Sequence, residues 1–194
     1  MPKILVVYLL WALAIIVFAI FLFWLLGLQV KPRPVRDDAV IVTSTAMAAS
    51  GSRLVENQAG HYHLTVPSDW YIESSGPTGF ILYPGYDPAF GPEPACKIEI
   101  SVLSNWSNAT LGDWLLNYLR QDPTVDMAGI SETPIQISGR DAILWIGSIN
   151  GVSTTAAYIS GNNVVYEIVP SAMAAVEDCS SNLDPVLKNF SVIN

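Results

Sequence analysis

Between Ile4 and Leu28 the chain carries no charged side chain and almost no polar one. At about 1.5 Å of rise per residue, a helix over these twenty-five positions crosses a hydrocarbon core of roughly 30 Å with some tilt. A cleaved signal peptide is the competing reading, but its apolar core usually runs about 7 to 15 residues before a small-residue cleavage site. Here the run ends in Gly27-Leu28-Gln29-Val30-Lys31 without an A-x-A site, and Ala46-Met47-Ala48 lies too far downstream. No cysteine stands near its end, which argues against a lipoprotein. The run is therefore expected to stay in the lipid bilayer as an uncleaved single-span anchor. Trp11 and Trp24 suit opposite headgroup zones, or equally packing within the span.

The side on which the remainder lies depends on two opposed signals. Lys31, Arg33 and Arg36 come after the run and only Lys3 precedes it, which favours a cytoplasmic carboxy-terminal side. Against this, the two cysteines and the acidic, lysine-poor remainder suit an exported domain. The expected topology is the amino terminus inside and the domain outside the cytoplasm, at the cell membrane.

Charge then narrows the partners. Of nine basic side chains four fall within residues 1 to 36, leaving five against seventeen acids and a net charge near −12 beyond that point. Such a surface repels phosphate backbones and anionic headgroups, so nucleic acid is excluded as a partner, and solubility is the plainest use of the charge. Four segments result: a tail at 1–3, the anchor at 4–28, a Pro- then Ala/Ser/Thr-rich linker at 29–59, and a globular domain at 60–194. The linker opens on the stiff Lys31-Pro32-Arg33-Pro34 and includes a candidate short strand at Ala39-Val42.

Within the domain, His61-Val66 alternates up to Pro67, the chain restarts at Trp70-Tyr71-Ile72, and Gly79-Tyr83 forms a third short strand. Lys97-Val102 alternates strictly, as a strand with one buried face does. The period then changes. Leu111, Trp114, Leu115, Tyr118 and Leu119 share one helical stripe, with Thr110 and Asp113 as a capping pair and Pro123 beyond the end. Strands are expected next at Thr133-Ile137, Ala142-Ile149, Val152-Ile159 and Val164-Val169, joined by turns at Ser138-Gly139, Asn150-Gly151 and Gly161-Asn163. Val176 to Phe190 keeps helical spacing, with Pro185 expected to break it. The pattern predicts an α+β domain built on an antiparallel sheet.

Leu64-Thr65-Val66-Pro67 with Trp70, the helix, then Ile135, Ile137, Gly139 and Ala142, then Tyr158 to Tyr166 and a closing helix ending Phe190-Ser191-Val192, resemble the PsbP/Mog1-like superfamily over about residues 60–192. The resemblance implies an antiparallel sheet sandwiched by helices, in a group that includes photosystem II extrinsic proteins and small exported bacterial proteins. It transfers no functional residue, and the long apolar run departs from the photosynthetic members.

Cys96 and Cys179 are the candidate disulfide, with two buried apolar thiols as the alternative. His61 and His63, two apart on an expected strand, are weak candidate metal ligands if Glu99 joins them. The proline-stiffened loop from Tyr83 to Pro94 offers Tyr86, Asp87, Phe90 and Glu93 as a candidate partner-binding surface, or else packs over the sheet edge. Trp70, Trp106, Trp114 and Trp145 are expected in the core. No G-x-S-x-G, H-E-x-x-H, C-x-x-C or phosphate-cradling glycine loop occurs, although carboxylates such as Asp69, Glu73 and Asp87 remain available to pair in space. No cofactor is implied. The leading expectation is a non-catalytic binding or assembly module for a protein or envelope component. The alternatives are an accessory subunit acting through its span, and a hydrolase with an unrecognised site.

Overall fold

The computed structural model describes residues 51–89, 94–173 and 179–193. The apolar run at 4–28 and the candidate strand at 39–42 lie outside the described residues. Ten strands form two antiparallel sheets among the described residues. The larger takes in β3 (Tyr71–Ser74), β4 (Phe80–Tyr83), β5 (Cys96–Ser104), β6 (Ser131–Ile137), β7 (Arg140–Ile149), β8 (Val152–Ser160) and β9 (Val164–Ala172), in the order β3-β4-β5-β9-β8-β7-β6. The smaller pairs β2 (Tyr62–Pro67) between β1 (Ser52–Asn57) and β10 (Phe190–Val192). Helix α1 (Leu111–Leu119) links β5 towards β6, and α2 (Leu183–Asn189) precedes β10.

Alternation along the central strands divides the interior into two cores, because successive side chains leave opposite faces of a sheet. Ile98, Ile100, Ala157, Ile159, Tyr166 and Ile168 point to one face. There they meet Val55, Tyr62, Leu64 and Val66 of the small sheet and Leu183 and Val186 of α2. Tyr62 anchors this layer: its ring stacks on Phe190 at 5.3 Å and meets Phe80 and Tyr166 edge-on at 5.8 and 5.7 Å. The opposite face presents Ile143, Trp145, Ala156, Tyr158 and Val165 to Leu115 and Leu119 of α1. The sheet is thus covered by a helix on one side, and by a second sheet together with a helix on the other.

The local rules hold where the chain is local. Thr110 Oγ1 accepts from Asp113 N at 3.3 Å and caps α1. Asn150 and Gly151 take φ of 52° and 78°, and Ser138 and Gly139 take 49° and 74°, so both hairpins turn through paired left-handed residues.

Three features differ from the sequence reading. Ser52–Asn57, within the stretch assigned to the linker, is a strand in full register with β2, its Val55 and Asn57 buried. The closing segment does fall into two pieces as expected, a 3-10 turn at Cys179–Asn182 and then α2, with Pro185 in the first turn of α2, where an N–H has no partner to lose. Phe190 leaves α2 in an extended conformation and pairs with Leu64, so the closing segment is a strand edge rather than helix. Trp106 is 84% exposed, although Trp70 and Trp145 are buried as expected.

Candidate functional site

Helix α1 rests on β7 and β8, reaches Val165 and Glu167 of β9, and leaves the same face of β3, β4 and most of β5 without a covering element among the described residues. The register states what this open half carries. Glu73 pairs with Ile81, Ile81 with Glu99, and Glu99 with Val169. One row along, Ser101 pairs with Glu167 and Glu167 with Tyr158. Because side chains two apart share a face, Glu99 and Glu167 are diagonal neighbours on adjacent strands.

Two groups of rings border these carboxylates. At the outer edge Tyr71, Tyr83 and Tyr86 lie with centroids 5.8 to 5.9 Å apart, and Tyr83 donates its hydroxyl to Glu73 Oε2 at 3.1 Å. On the α1 side Trp114 stacks on Tyr118 at 4.9 Å with planes 13° apart, and both meet Tyr158 at 6.3 Å. Trp114 is oriented by its indole N–H, which donates to the Ser104 carbonyl at 3.0 Å. With strands about 4.8 Å apart, roughly 10 Å of sheet separates β4 from β9.

Glu167 is the unusual member. It is held by hydroxyl donors, Tyr158 at 3.0 Å to Oε1 and Tyr118, and no ion pair to it occurs among the described residues. Burial raises its pKa above the ordinary value, the two tyrosine hydrogen bonds oppose that rise, and the charge of Glu99 adds to it. The tyrosines answer in kind. Burial and the neighbouring Glu167 carboxylate push Tyr118 up to about 12 and Tyr158 further up, so both stay protonated donors. Lys97, the cation on this face among the described residues, sits 3.4 Å from Glu99 Oε2, with the Glu99 side chain 41% exposed.

The residues singled out from the sequence fall in several places. Tyr86 belongs to the outer ring group and Asp87 Oδ1 accepts from Ala89 N at 2.8 Å, while Phe90 and Glu93 lie outside the described residues. Cys96 and Cys179 are joined as a disulfide with Cα atoms 5.7 Å apart. His61 takes a left-handed φ of 56° in the turn before β2, so it does not share strand alternation with His63. His63 pairs with Glu56 and Ser191 in the small sheet, whereas Glu99 lies on β5 of the large one. No group of three or more metal-ligating side chains occurs among the described residues. Asp69 and Glu73 are exposed, and no contact joins them to Asp87 among the described residues.

Two recesses lie away from the open face. One, of about 260 Å³, runs between the ends of the two sheets past His61, Val102, Val164 and Tyr166. The other, of about 410 Å³, is an open groove beside the start of α1, with Asp141 as its carboxylate. Neither gathers an acid, a base and a nucleophile. The Glu99–Glu167–Tyr158–Tyr118 group was missed in the sequence. Its one signal is Glu167 standing alone in the apolar strand Val164–Val169, and Tyr118 reads there as one more stripe residue.

No family model matches the chain, and no curated protein matches it in sequence. Among solved structures it is similar to cyanobacterial PsbP from Synechocystis, at 12% identity over 76% of this chain and 97% of that one, with a TM-score of 0.47. It is also similar to LpqN of Mycobacterium tuberculosis, described as involved in cell envelope biogenesis, at 15% identity over 75% and 87% of the two chains and a TM-score of 0.44. A structure from Bacteroides thetaiotaomicron is 16% identical over 72% of this chain, with a TM-score of 0.43. The chain spans about half the length of that protein, 48%. These are loose likenesses, all at or below 16% identity, and they assign the chain to no family.

Proposed function

We propose that this protein is a non-catalytic binding module, tethered outside the cytoplasm by residues 4–28, that recognises a protein or envelope component through the open half of its large sheet. The observation that carries this reading is the open face itself, where Tyr71, Tyr83, Tyr86, Tyr118 and Trp114 surround carboxylates without an enclosing cleft. Tyrosine and tryptophan supply large contact areas at low entropic cost, which is why they dominate the productive centres of interfaces. The Cys96–Cys179 disulfide supports the compartment, since such bonds persist in oxidising spaces.

The test is a photo-crosslinking residue placed at Tyr71 of the full-length protein in intact cells, compared with an exported form beginning at Gly51. Capture of the same partner by both supports the module. Loss of the partner on removing the apolar run supports instead a subunit that pairs inside the bilayer.

A second reading has one observation in its favour. Glu99 and Glu167 form a carboxylate pair whose buried member has a raised pKa, the combination general acid–base hydrolysis uses. Neither recess includes either residue, so a substrate here gains little shelter from water. Hydrolysis of a glycan or ester panel that disappears in both Glu99→Gln and Glu167→Gln is the result that favours an enzyme.

A further inference from the structure

We infer that the open face binds an arginine-bearing segment of an extracytoplasmic polypeptide, with the guanidinium set between the Glu167 and Glu99 carboxylates and the rings of Trp114 and Tyr118. The inference rests on the binding-module reading and names the chemistry of its partner.

Charge complementarity selects the occupant. Among the described residues the face presents Glu73, Glu99 and Glu167 against the cation Lys97, which is engaged with Glu99. A second copy of the chain brings like charges together, and an anionic lipid surface does the same. Glu167 narrows the choice further. Its burial has removed much of its water, and its partners are neutral hydroxyls, so a cation arriving there gains Coulomb energy that an exposed carboxylate does not offer. The hydroxyls of Tyr158 and Tyr118 hold the carboxylate in place before any ligand arrives, so little ordering is left to do.

The ring geometry favours arginine over lysine. Trp114 and Tyr118 stack nearly parallel beside the carboxylate, at 13°. A guanidinium is planar, weakly hydrated and forked, so it lies on an aromatic face while donating two hydrogen bonds to a carboxylate. An ammonium makes the charge contact without the stacking. The outer tyrosines, Tyr71, Tyr83 and Tyr86, then border the segment on its other side.

The experiment uses the full-length protein in nanodiscs of zwitterionic lipid, titrated with a fluorescent, end-capped peptide of alternating glycine and arginine. Its lysine and glutamate counterparts serve as comparisons, and anisotropy is the readout. The arginine peptide is expected to bind most tightly and more weakly as salt rises. Glu167→Gln and Glu99→Gln are each expected to weaken it roughly tenfold, the loss of one charge-assisted contact, while Glu56→Gln on β1 and Asp184→Asn on α2 leave it unchanged. The Glu99 side chain reaches solvent, so its variant tests the idea even if Glu167→Gln folds poorly. The inference is overturned if the arginine peptide does not bind or all four variants weaken it alike. It is likewise overturned if both Glu variants bind normally, or if lysine does as well as arginine. Capture in cells through Tyr71 that survives both Glu variants leaves the module intact and removes the arginine site. No capture at all removes both.

Discussion

Tyr158 on β8 and Glu167 on β9 are directly paired across the sheet, and the tyrosine hydroxyl donates to Glu167 Oε1 at 3.0 Å. The pair places an ionisable group where alternation otherwise buries apolar side chains, between Val165 and Val169 on its own strand. It is tolerated because Tyr158 and Tyr118 supply two hydrogen bonds to the carboxylate.

Acid is expected to favour the folded chain through Glu167. This carboxyl keeps its proton to higher pH in the folded chain than in the unfolded one, because burial disfavours its charge. Between those two values the native state binds more protons, so stability falls as pH rises through the window and the loss is complete above it. Glu167→Gln lacks this slope. Its melting temperature, compared with that of the unaltered protein, is expected to improve steadily from acidic towards neutral pH. A constant difference across that range contradicts the assignment.

At alkaline pH the same sign holds for different groups. Tyr62, Tyr118 and Tyr158 are all raised, mainly by burial, so the unfolded chain releases these protons first. Stability is expected to hold below about pH 10, the ordinary phenol value, and to fall above it. Urea midpoints at about pH 9 and about pH 11 measure the loss, which should shrink in Tyr158→Phe.

Removing the bridge between Cys96 and Cys179 frees a separation of 83 residues. The double serine variant is expected to lose about 2 to 5 kcal/mol, visible as a lower melting temperature. Under denaturing, non-reducing conditions the unaltered protein should show no thiol that alkylates.

Two truncations locate the start of the folding unit. A chain beginning at Gly51 keeps β1 and should melt cooperatively. One beginning at Gly60 loses the fully buried Val55, about 1.5 to 3 kcal/mol of burial, and uncovers one edge of β2. It also loses Asn57, whose Oδ1 accepts from Gly60 N at 2.7 Å. Aggregation, or a broad transition well below that of the longer form, is the expected result.

Gly147 lies against the core tryptophan, and a Cβ there runs into the Trp145 ring, which has no exposed surface to retreat into. Gly147→Ala is expected to cost about 1 to 3 kcal/mol by overpacking. Circular dichroism melts decide it, and an unchanged transition would show that the ring can shift.

Much of this fold can be read along the chain. Alternation in Lys97–Val102 and in the strands from Thr133 to Val169, the stripe of α1, the left-handed turns and both cysteines are set by rules spanning a few residues. Such rules depend on backbone sterics and on which side of an element is apolar, and both are present in short windows. The apolar run at 4–28 and the acidity of the chain beyond residue 36 are legible in the same way.

Short windows do not contain who pairs with whom. Ser52–Asn57 is polar enough to resemble a tether and becomes a strand only because β2 offers it an edge. Phe190 leaves helical spacing because the other edge of β2 is open to it, more than a hundred residues away along the chain. The candidate site depends wholly on such distant choices. Glu167 is a lone acid in an apolar strand until β5 brings Glu99 beside it, β8 brings Tyr158 opposite, and α1 lowers Tyr118 onto it. Coverage of a sheet face is a property of packed layers, so tertiary structure alone decided which carboxylates meet solvent among rings.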